Sequence, residues 1–223
     1  MDIQDLYKEY DKLQLKYGEK SLDAIYGGGE FNNPDILFVF MNPTKRNIAS
    51  SKSWHGIKAP WIGTKNIWDL MYELSLIHED IFLDIKNKKP TEWTEEFANE
   101  VYADVREHNY YMSNFAKCTQ IDATAVPDKF YREYLDLFNR EVELINPKII
   151  ILFGNQVSSI FLGQKISVSS CRQQLFKHSI NDKTYDCYPV YYPVGNGRFN
   201  MPKAIEDIQH IISSYPELSL YNN

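Results

Sequence analysis

Ile36-Leu37-Phe38-Val39-Phe40-Met41-Asn42-Pro43-Thr44 passes from five consecutive apolar residues, through Met41, into a polar turn. A run of strand length with no alternation between apolar and polar positions is the mark of a strand buried on both faces, and such strands belong to parallel sheets covered by helices. On its amino-terminal side Gly27-Gly28-Gly29 breaks the chain. Those glycines precede the strand, so they do not form a phosphate-cradling loop, which follows its strand and opens a helix. Three more strands are predicted, over 110–115, 148–153 and 185–192. Apolar residues spaced by three and four predict helices over 2–16, 65–77, 95–105, 131–145, 155–162 and 201–213; Gly18 stops the first and Asn146-Pro147 the fourth.

Strands separated by helices give an α/β class, a three-layer α/β/α sandwich around a central, mostly parallel, four-stranded sheet, in one domain over 1–223. Ligands of such sheets bind at the carboxyl ends of the strands, which selects 41–47, 114–118, 154–156 and 192–198. The polar loop of about twenty residues after the first strand is longer than a compact domain keeps without a use for it.

The chain has 223 residues, 43% hydrophobic and 24% charged, which excludes a disordered tail and a fibrous repeat. Its longest apolar run, Ile36 to Met41, is far short of the roughly 18 residues of a membrane helix, so no membrane partner is expected. The opening residues lack the order of a secretory signal, and Cys118, Cys171 and Cys187 are odd in number and widely spaced. A reducing, cytoplasmic setting is the expectation.

A net charge of −6 argues against an anionic partner, but the average hides a segregation. No acidic residue lies between Asp35 and Asp69, where Lys45, Arg46, Lys52, Lys58 and Lys65 fall. Two more acid-free stretches, 187–204 with Arg198 and Lys203 and 108–121 with Lys117, coincide with other strand ends. Any one such stretch arises readily by chance; three meeting in space would make a positive, aromatic-rich face suited to phosphates.

Five segments then stand in order: Phe40-Met41-Asn42-Pro43-Thr44, Ala59-Pro60-Trp61-Ile62-Gly63, Tyr111-Met112-Ser113-Asn114-Phe115-Ala116-Lys117-Cys118, Ile145-Asn146-Pro147-Lys148-Ile149-Ile150-Ile151-Leu152-Phe153-Gly154 and Tyr191-Tyr192-Pro193-Val194-Gly195-Asn196. Together they resemble the motifs of the uracil-DNA glycosylase superfamily. The first is nearest the G-M-N-P-G variant of mismatch-specific and single-strand-selective members. The others resemble the P-F-V-G, I-T-N-V-V-K-C, I-R-P-K-V-I-V-A-L-G and H-P-S segments of family 4.

The resemblance implies an enzyme that turns one nucleotide out of DNA into a pocket and hydrolyses the bond between base and sugar. It implies catalytic roles for Asn42, aiming a water or steadying the sugar cation, and for Tyr192, hydrogen-bonding the base. An amide cannot take a proton at neutral pH, so turnover is expected to be modest. Base-binding roles fall to Met41, to Trp61 as a stacking platform, and to Asn114, whose amide reads a base edge with one donor and one acceptor. Gly195, Asn196 and Arg198 match the loop that enters the minor groove. Lys45, Arg46 and Lys52 are candidate phosphate contacts, with Ser50 and Ser51 as neutral helpers. The plainer readings stay open: Asn42 as an Asn-Pro turn former, Trp61 as a core residue, the lysines as solvated surface.

The departures are Tyr192 in place of His, Val194 in place of Ser, and Phe40 and Thr44 in place of glycines. No Lys stands in the matched motifs where a Schiff-base nucleophile is expected, which implies a monofunctional enzyme leaving an abasic site. Only Cys118 matches a cluster cysteine of family 4, and an iron-sulfur cluster needs four thiolates, so no cofactor is expected. The five histidines show no metal-ligand spacing, and no metal is expected. The chain is expected to act as a monomer. Three outcomes follow: excision of uracil or a modified pyrimidine, excision of modified cytosines of viral DNA in antiviral defence, or an inactive nucleic-acid-binding module on the same fold.

Overall fold

The computed structural model describes residues 2–124 and 126–218. In chain order the elements are α1 (Ile3–Tyr17), β1 (Gly27–Gly29), β2 (Ile36–Phe40), α2 (Asn66–Glu73), α3 (Glu79–Asn87), α4 (Glu95–Glu107), β3 (Tyr110–Asn114), α5 (Asp128–Arg132), α6 (Leu135–Ile145), β4 (Ile149–Phe153), α7 (Asn155–Phe161), β5 (Phe176–Ile180), β6 (Lys183–Val190) and α8 (Met201–Ser213).

One sheet runs in the order β1-β3-β2-β4-β6-β5. Its four middle strands, β3, β2, β4 and β6, are parallel and are those that the sequence predicts. The sheet has six strands, however, and not four. β1 adds antiparallel to β3, and β5 adds antiparallel to β6. The three glycines that read as a chain break are an edge strand because nothing larger fits there: a Cβ on Gly29, where φ is +121°, would collide with the Tyr110 carbonyl. β5 was unforeseen because its Phe-Lys-His-Ser-Ile alternates and leaves every second residue at the surface. It joins β6 through Asn181-Asp182, with Asn181 at a φ of 49°, a conformation that a tight hairpin demands.

Residues of β2, β3 and β4 are all buried. Alternation along β2 sends Phe38 and Phe40 to one face and Leu37 and Val39 to the other. The first face packs on α2, α3, α4 and α8 through Trp68, Ile85, Val101 and Ile208. The second packs on α1, α5, α6 and α7 through Tyr10, Tyr131, Phe138 and Phe161. This is the expected three-layer arrangement.

The helices follow their local signals. Asp2 caps α1 by accepting from the Asp5 N–H at 2.9 Å, and the Gly18 N–H closes it on the Gln14 carbonyl. α8 has the predicted bounds. The 131–145 pattern starts earlier than expected and divides into α5 and α6, while the 65–77 pattern ends at Glu73, before Ser75 turns to a φ of 56°. α3 buries only Ile85, too little apolar periodicity to be read in advance. Among the described residues no helix is long and apolar enough to cross a membrane.

The long loop after β2 is internally tied. Asn47 is buried; its Nδ2 donates to the Ala59 carbonyl at 2.8 Å and its Oδ1 accepts from the Ala49 N–H at 3.1 Å, holding a 3-10 turn over Ile48–Ser50. On the other side the Lys45 N–H donates to the Gln120 carbonyl and the Gln120 N–H to the Pro43 carbonyl. The turn carrying Asn42 is thus clamped to the segment that follows β3.

Candidate functional site

Phe40 and Asn114 are partners in the β2–β3 register, and the pairing continues past both strands. The Phe115 N–H donates to the Phe40 carbonyl at 2.8 Å and the Ala116 N–H to the Met41 carbonyl at 3.1 Å. Met41 and Asn42 therefore sit beside Asn114 at the carboxyl edge of the sheet. Asn42 is partly buried and held at both ends: its Nδ2 donates to the Pro43 carbonyl at 3.1 Å, and its Oδ1 accepts from the Tyr131 hydroxyl at 2.6 Å. Tyr131, fully buried on α5, is a site residue that sequence reasoning missed. Burial pushes its phenol well above the ordinary value, and the nearby Cys118 and Tyr192 push the same way, so it remains a donor at any working pH.

Asn114 lies on the sheet face that carries Phe40. The residue is 3% exposed, and its carboxamide is not one of the fully buried groups left without a partner, so it is free to face the solvent side of the strand end. On the same face Trp61 stands edge-on to Phe40, with ring centroids 5.0 Å apart and planes at 79°. Its indole N–H is buried and unpartnered among the described residues. Trp61 has a φ of 68°, a left-handed conformation that costs a bulky residue about 1–3 kcal/mol. Two bonds fix it there: its carbonyl accepts from the Thr64 N–H at 3.1 Å and the Thr64 hydroxyl at 2.7 Å. Buried polar groups ordinarily find partners. The Trp61 indole N–H shares its unpartnered state with the Trp68 indole N–H and the Tyr110 hydroxyl in the same apolar layer, and it alone of the three stands at the carboxyl edge of the sheet, against Phe40.

Tyr192 follows β6 and leans over the turn after β4, where a Cβ placed on Gly154 would stand 3.6 Å from its own Cβ. Burial raises its phenol, so it too is a neutral donor. Gly197 comes so close beneath it that any Cβ would collide with the Tyr192 carbonyl, which binds the following loop to this strand end. Met41, Asn42 and Asn114 thus lie at the ends of β2 and β3, with Trp61 beside Phe40 on the face of Asn114. Met41 and the Tyr131 that holds Asn42 belong instead to the layer on the opposite face, and Tyr192 stands at the neighbouring ends of β4 and β6. Phe40, nearly parallel to Phe153 at 4.8 Å, packs on the face that carries Asn114 and Trp61. Two surface cavities stand out among the described residues, and neither is lined by these groups. The larger, about 460 Å³, opens three residues beyond Asn42 and is lined by Lys45, Ile48, Ser51, Trp54 and Trp93. The other, about 370 Å³, lies between α6 and the β5–β6 turn.

The expected positive face is only partly formed. Lys45 and Arg46 are exposed and have no ion pair among the described residues. Lys52 does not share that freedom, because it and Lys58 both pair with Asp23. The Asp23 N–H bonds to the Ser50 carbonyl, which carries an acid from outside the acid-free stretch into its middle. Burial alone would raise the Asp23 carboxyl, but the two lysines outweigh it and hold the group below its ordinary value.

Lys117 is a further correction to that face. It is fully buried, 2.7 Å from Glu141, and donates to Ser113 Oγ and to the Asn114 carbonyl. Burial lowers its pKa while Glu141 opposes the shift. Ser50 is also buried and spends its hydroxyl on the Asn47 carbonyl at 2.7 Å, and Ser51 pairs with Ser53, so neither is a free helper.

Gly195, Asn196 and Arg198 lie on an exposed 3-10 turn, Gly195–Asn200. Beside them is a residue the sequence did not flag: Phe199, 77% exposed, with the Arg198 guanidinium 4.4 Å from its ring centroid. A lone aromatic among glycines and asparagines was the available signal. The three cysteines are free and buried. Elsewhere the fold gathers His78, Asp104 and His108, a set that could hold a metal ion and whose only sequence trace is the one-turn spacing of Asp104 and His108.

No curated protein matches the chain. The family model of the uracil DNA glycosylase superfamily matches residues 27–214, from the first residue of β1 to the residue that closes α8. That span holds every strand and all the site residues above, and the chain belongs to the uracil DNA glycosylase superfamily.

Proposed function

We propose that the protein is a monofunctional DNA glycosylase that extrudes a uracil or modified pyrimidine from DNA and hydrolyses its bond to the sugar. Membership of the superfamily supports a DNA glycosylase-type function. The observation that carries the finer reading is the placing of the Asn114 carboxamide on the face that also holds the buried, unbonded indole N–H of Trp61. A base edge offers a partner to each, and burying it there removes the cost of leaving the indole N–H bare.

In this reading the Asn42 amide, its oxygen already accepting from Tyr131, holds the attacking water by its remaining lone pair. The departing base carries negative charge, and Tyr192 donates a hydrogen bond to it. The phenol offers the same kind of hydrogen bond as the His of relatives but is bulkier, so the departing charge is held in a differently shaped pocket. Base entry displaces the Phe40–Trp61 contact. Arg198 and Phe199 enter the groove, the exposed ring filling the gap left in the base stack, while Lys45 and Arg46 meet phosphates.

The test is an oligonucleotide panel carrying uracil, 5-substituted uracils and hydroxymethylated or glucosylated cytosines, each treated with alkali to reveal abasic sites. Excision of at least one member, abolished by Asn42→Ala, supports the proposal, and the member excised distinguishes uracil repair from removal of modified cytosines as an antiviral measure. A second reading, recognition of nucleic acid without excision, is favoured by the position of Phe40, which packs on the face that carries Asn114 and Trp61. Oligonucleotide binding with no abasic site on any member would establish that reading instead.

A further inference from the structure

We propose that His78, Asp104 and His108 form a binding site for a divalent transition-metal ion of the zinc class, remote from the base-binding residues. Ligating atoms taken one from each residue lie within 4.8 Å of one another. They come from two elements that are not adjacent in the chain. His78 is the residue before α3, and Asp104 and His108 stand one turn apart on the last turns of α4 and its cap. His78 Nδ1 is 2.5 Å from Asp104 Oδ1, and His108 Nδ1 is 3.5 Å from Asp104 Oδ2. Donors held about 2.1 Å from one ion at tetrahedral angles stand roughly 3.4 Å apart, so a set within 4.8 Å closes on an ion with side-chain adjustments of about 1 Å. An ion seated among the three atoms replaces the contact between His78 and the carboxylate with a bond from each.

The surroundings hold the donors in place. Asp104 Oδ2 accepts from the main-chain N–H of His78 at 3.3 Å, which ties the carboxylate to the chain that carries its neighbour. His108 Nδ1 donates to the Asp104 carbonyl at 2.9 Å, which leaves Nε2 as its ligating atom, and the two imidazole rings meet edge to face with centroids 4.6 Å apart. The Asp104 and His108 side chains are 5% and 11% exposed, whereas that of His78 is 49% exposed. The site is therefore walled on the protein side and open to solvent on one side, where a water completes the coordination.

Two imidazole nitrogens and one carboxylate oxygen favour zinc, nickel or cobalt over magnesium or calcium, which prefer all-oxygen shells. His108 lies two residues before β3, at the end of that strand opposite Asn114. An ion there joins the entry of α3 to the end of α4 and acts on the stability of this layer rather than on base chemistry.

The experiment uses the full chain, free of any histidine tag, stripped with chelator and titrated with zinc chloride alone by calorimetry, with a parallel cobalt titration read by visible absorption. Saturable binding of one ion per chain is expected, with cobalt bands of a tetrahedral nitrogen and oxygen site and no response to magnesium. His78→Gln, which changes a half-exposed side chain, is expected to weaken zinc binding at least tenfold with the circular dichroism spectrum unchanged. The His78→Gln/His108→Gln variant is expected to abolish the cobalt bands. No saturable binding, or one-to-one binding undiminished in His78→Gln, overturns the proposal. Neither readout depends on glycosylase activity, so the result stands whatever the oligonucleotide panel returns.

Discussion

The hydroxyl of Tyr131 fixes the carboxamide of Asn42, the residue proposed to hold the attacking water. In Tyr131→Phe the amide keeps only its bond to the Pro43 carbonyl and loses the partner at 2.6 Å. The expected result is a kcat about tenfold lower, with KM nearly unchanged and a stability loss of about 1 kcal/mol, measured by single-turnover excision and urea unfolding. A second residue-scale prediction concerns Lys117. Its ammonium lies 2.7 Å from Glu141, whose carboxylate also accepts from Tyr10 and Ser113 at 2.6 Å each. Lys117→Met leaves that carboxylate buried without its cation and is expected to cost about 3–5 kcal/mol in urea unfolding. Adding Glu141→Gln is expected to recover part of the loss, because the uncompensated charge is then gone. Nothing local in Tyr111 to Cys118 distinguishes a buried lysine from a surface one. The difference lies in Glu141, brought from α6.

Among the elements, the turn Gly195–Asn200 shows how a short motif acquires a shape. Gly197 must pass under Tyr192, and the turn this enforces leaves Arg198 and Phe199 projecting. Phe199→Ala removes an exposed ring, so thermal stability is expected to change by less than about 0.5 kcal/mol. Excision from duplex DNA is expected to fall about tenfold or more, with a smaller loss on single strands, where no stack has to be filled; equal losses on both would remove Phe199 from the proposed wedge role. The elements most legible in the sequence were those buried on both faces or carrying a full amphipathic stripe: β2, β4, α1 and α8. β5 and α3 escaped because each buries little of its surface, and burial is what writes periodicity into a sequence. β1 escaped because glycine carries no side chain from which to read a strand; what requires glycine there is the Tyr111 ring against Gly27 and the Tyr110 carbonyl against Gly29, both on the neighbouring strand.

Over the whole molecule, charge is arranged by contacts that cross the chain. Asp23 neutralises Lys52 and Lys58, which leaves Lys45 and Arg46 to carry the positive potential near Asn42. Asp23→Asn releases two cations beside them. It is expected to tighten oligonucleotide binding severalfold at low salt and to steepen the dependence of log K on log salt by up to about two, read by fluorescence anisotropy. The sign in pH follows from the depressed carboxyl. Its contribution to stability is complete above the unfolded value of about 3.9 and is lost as pH falls through the lower folded value. Acid unfolding of Asp23→Asn is expected to lack that component.

By itself the sequence determined the alternation of helices and buried strands, the parallel centre of the sheet, and the strand ends where Asn42, Asn114 and Tyr192 belong. Each of these depends on local periodicity or on the few residues around a turn. The tertiary structure decided which groups meet: Tyr131 on Asn42, Asp23 on two lysines, Glu141 on Lys117, and His78 against Asp104 and His108. Those pairings join residues far apart in the chain, and their energies come from desolvation and distance, which exist only once the layers have closed.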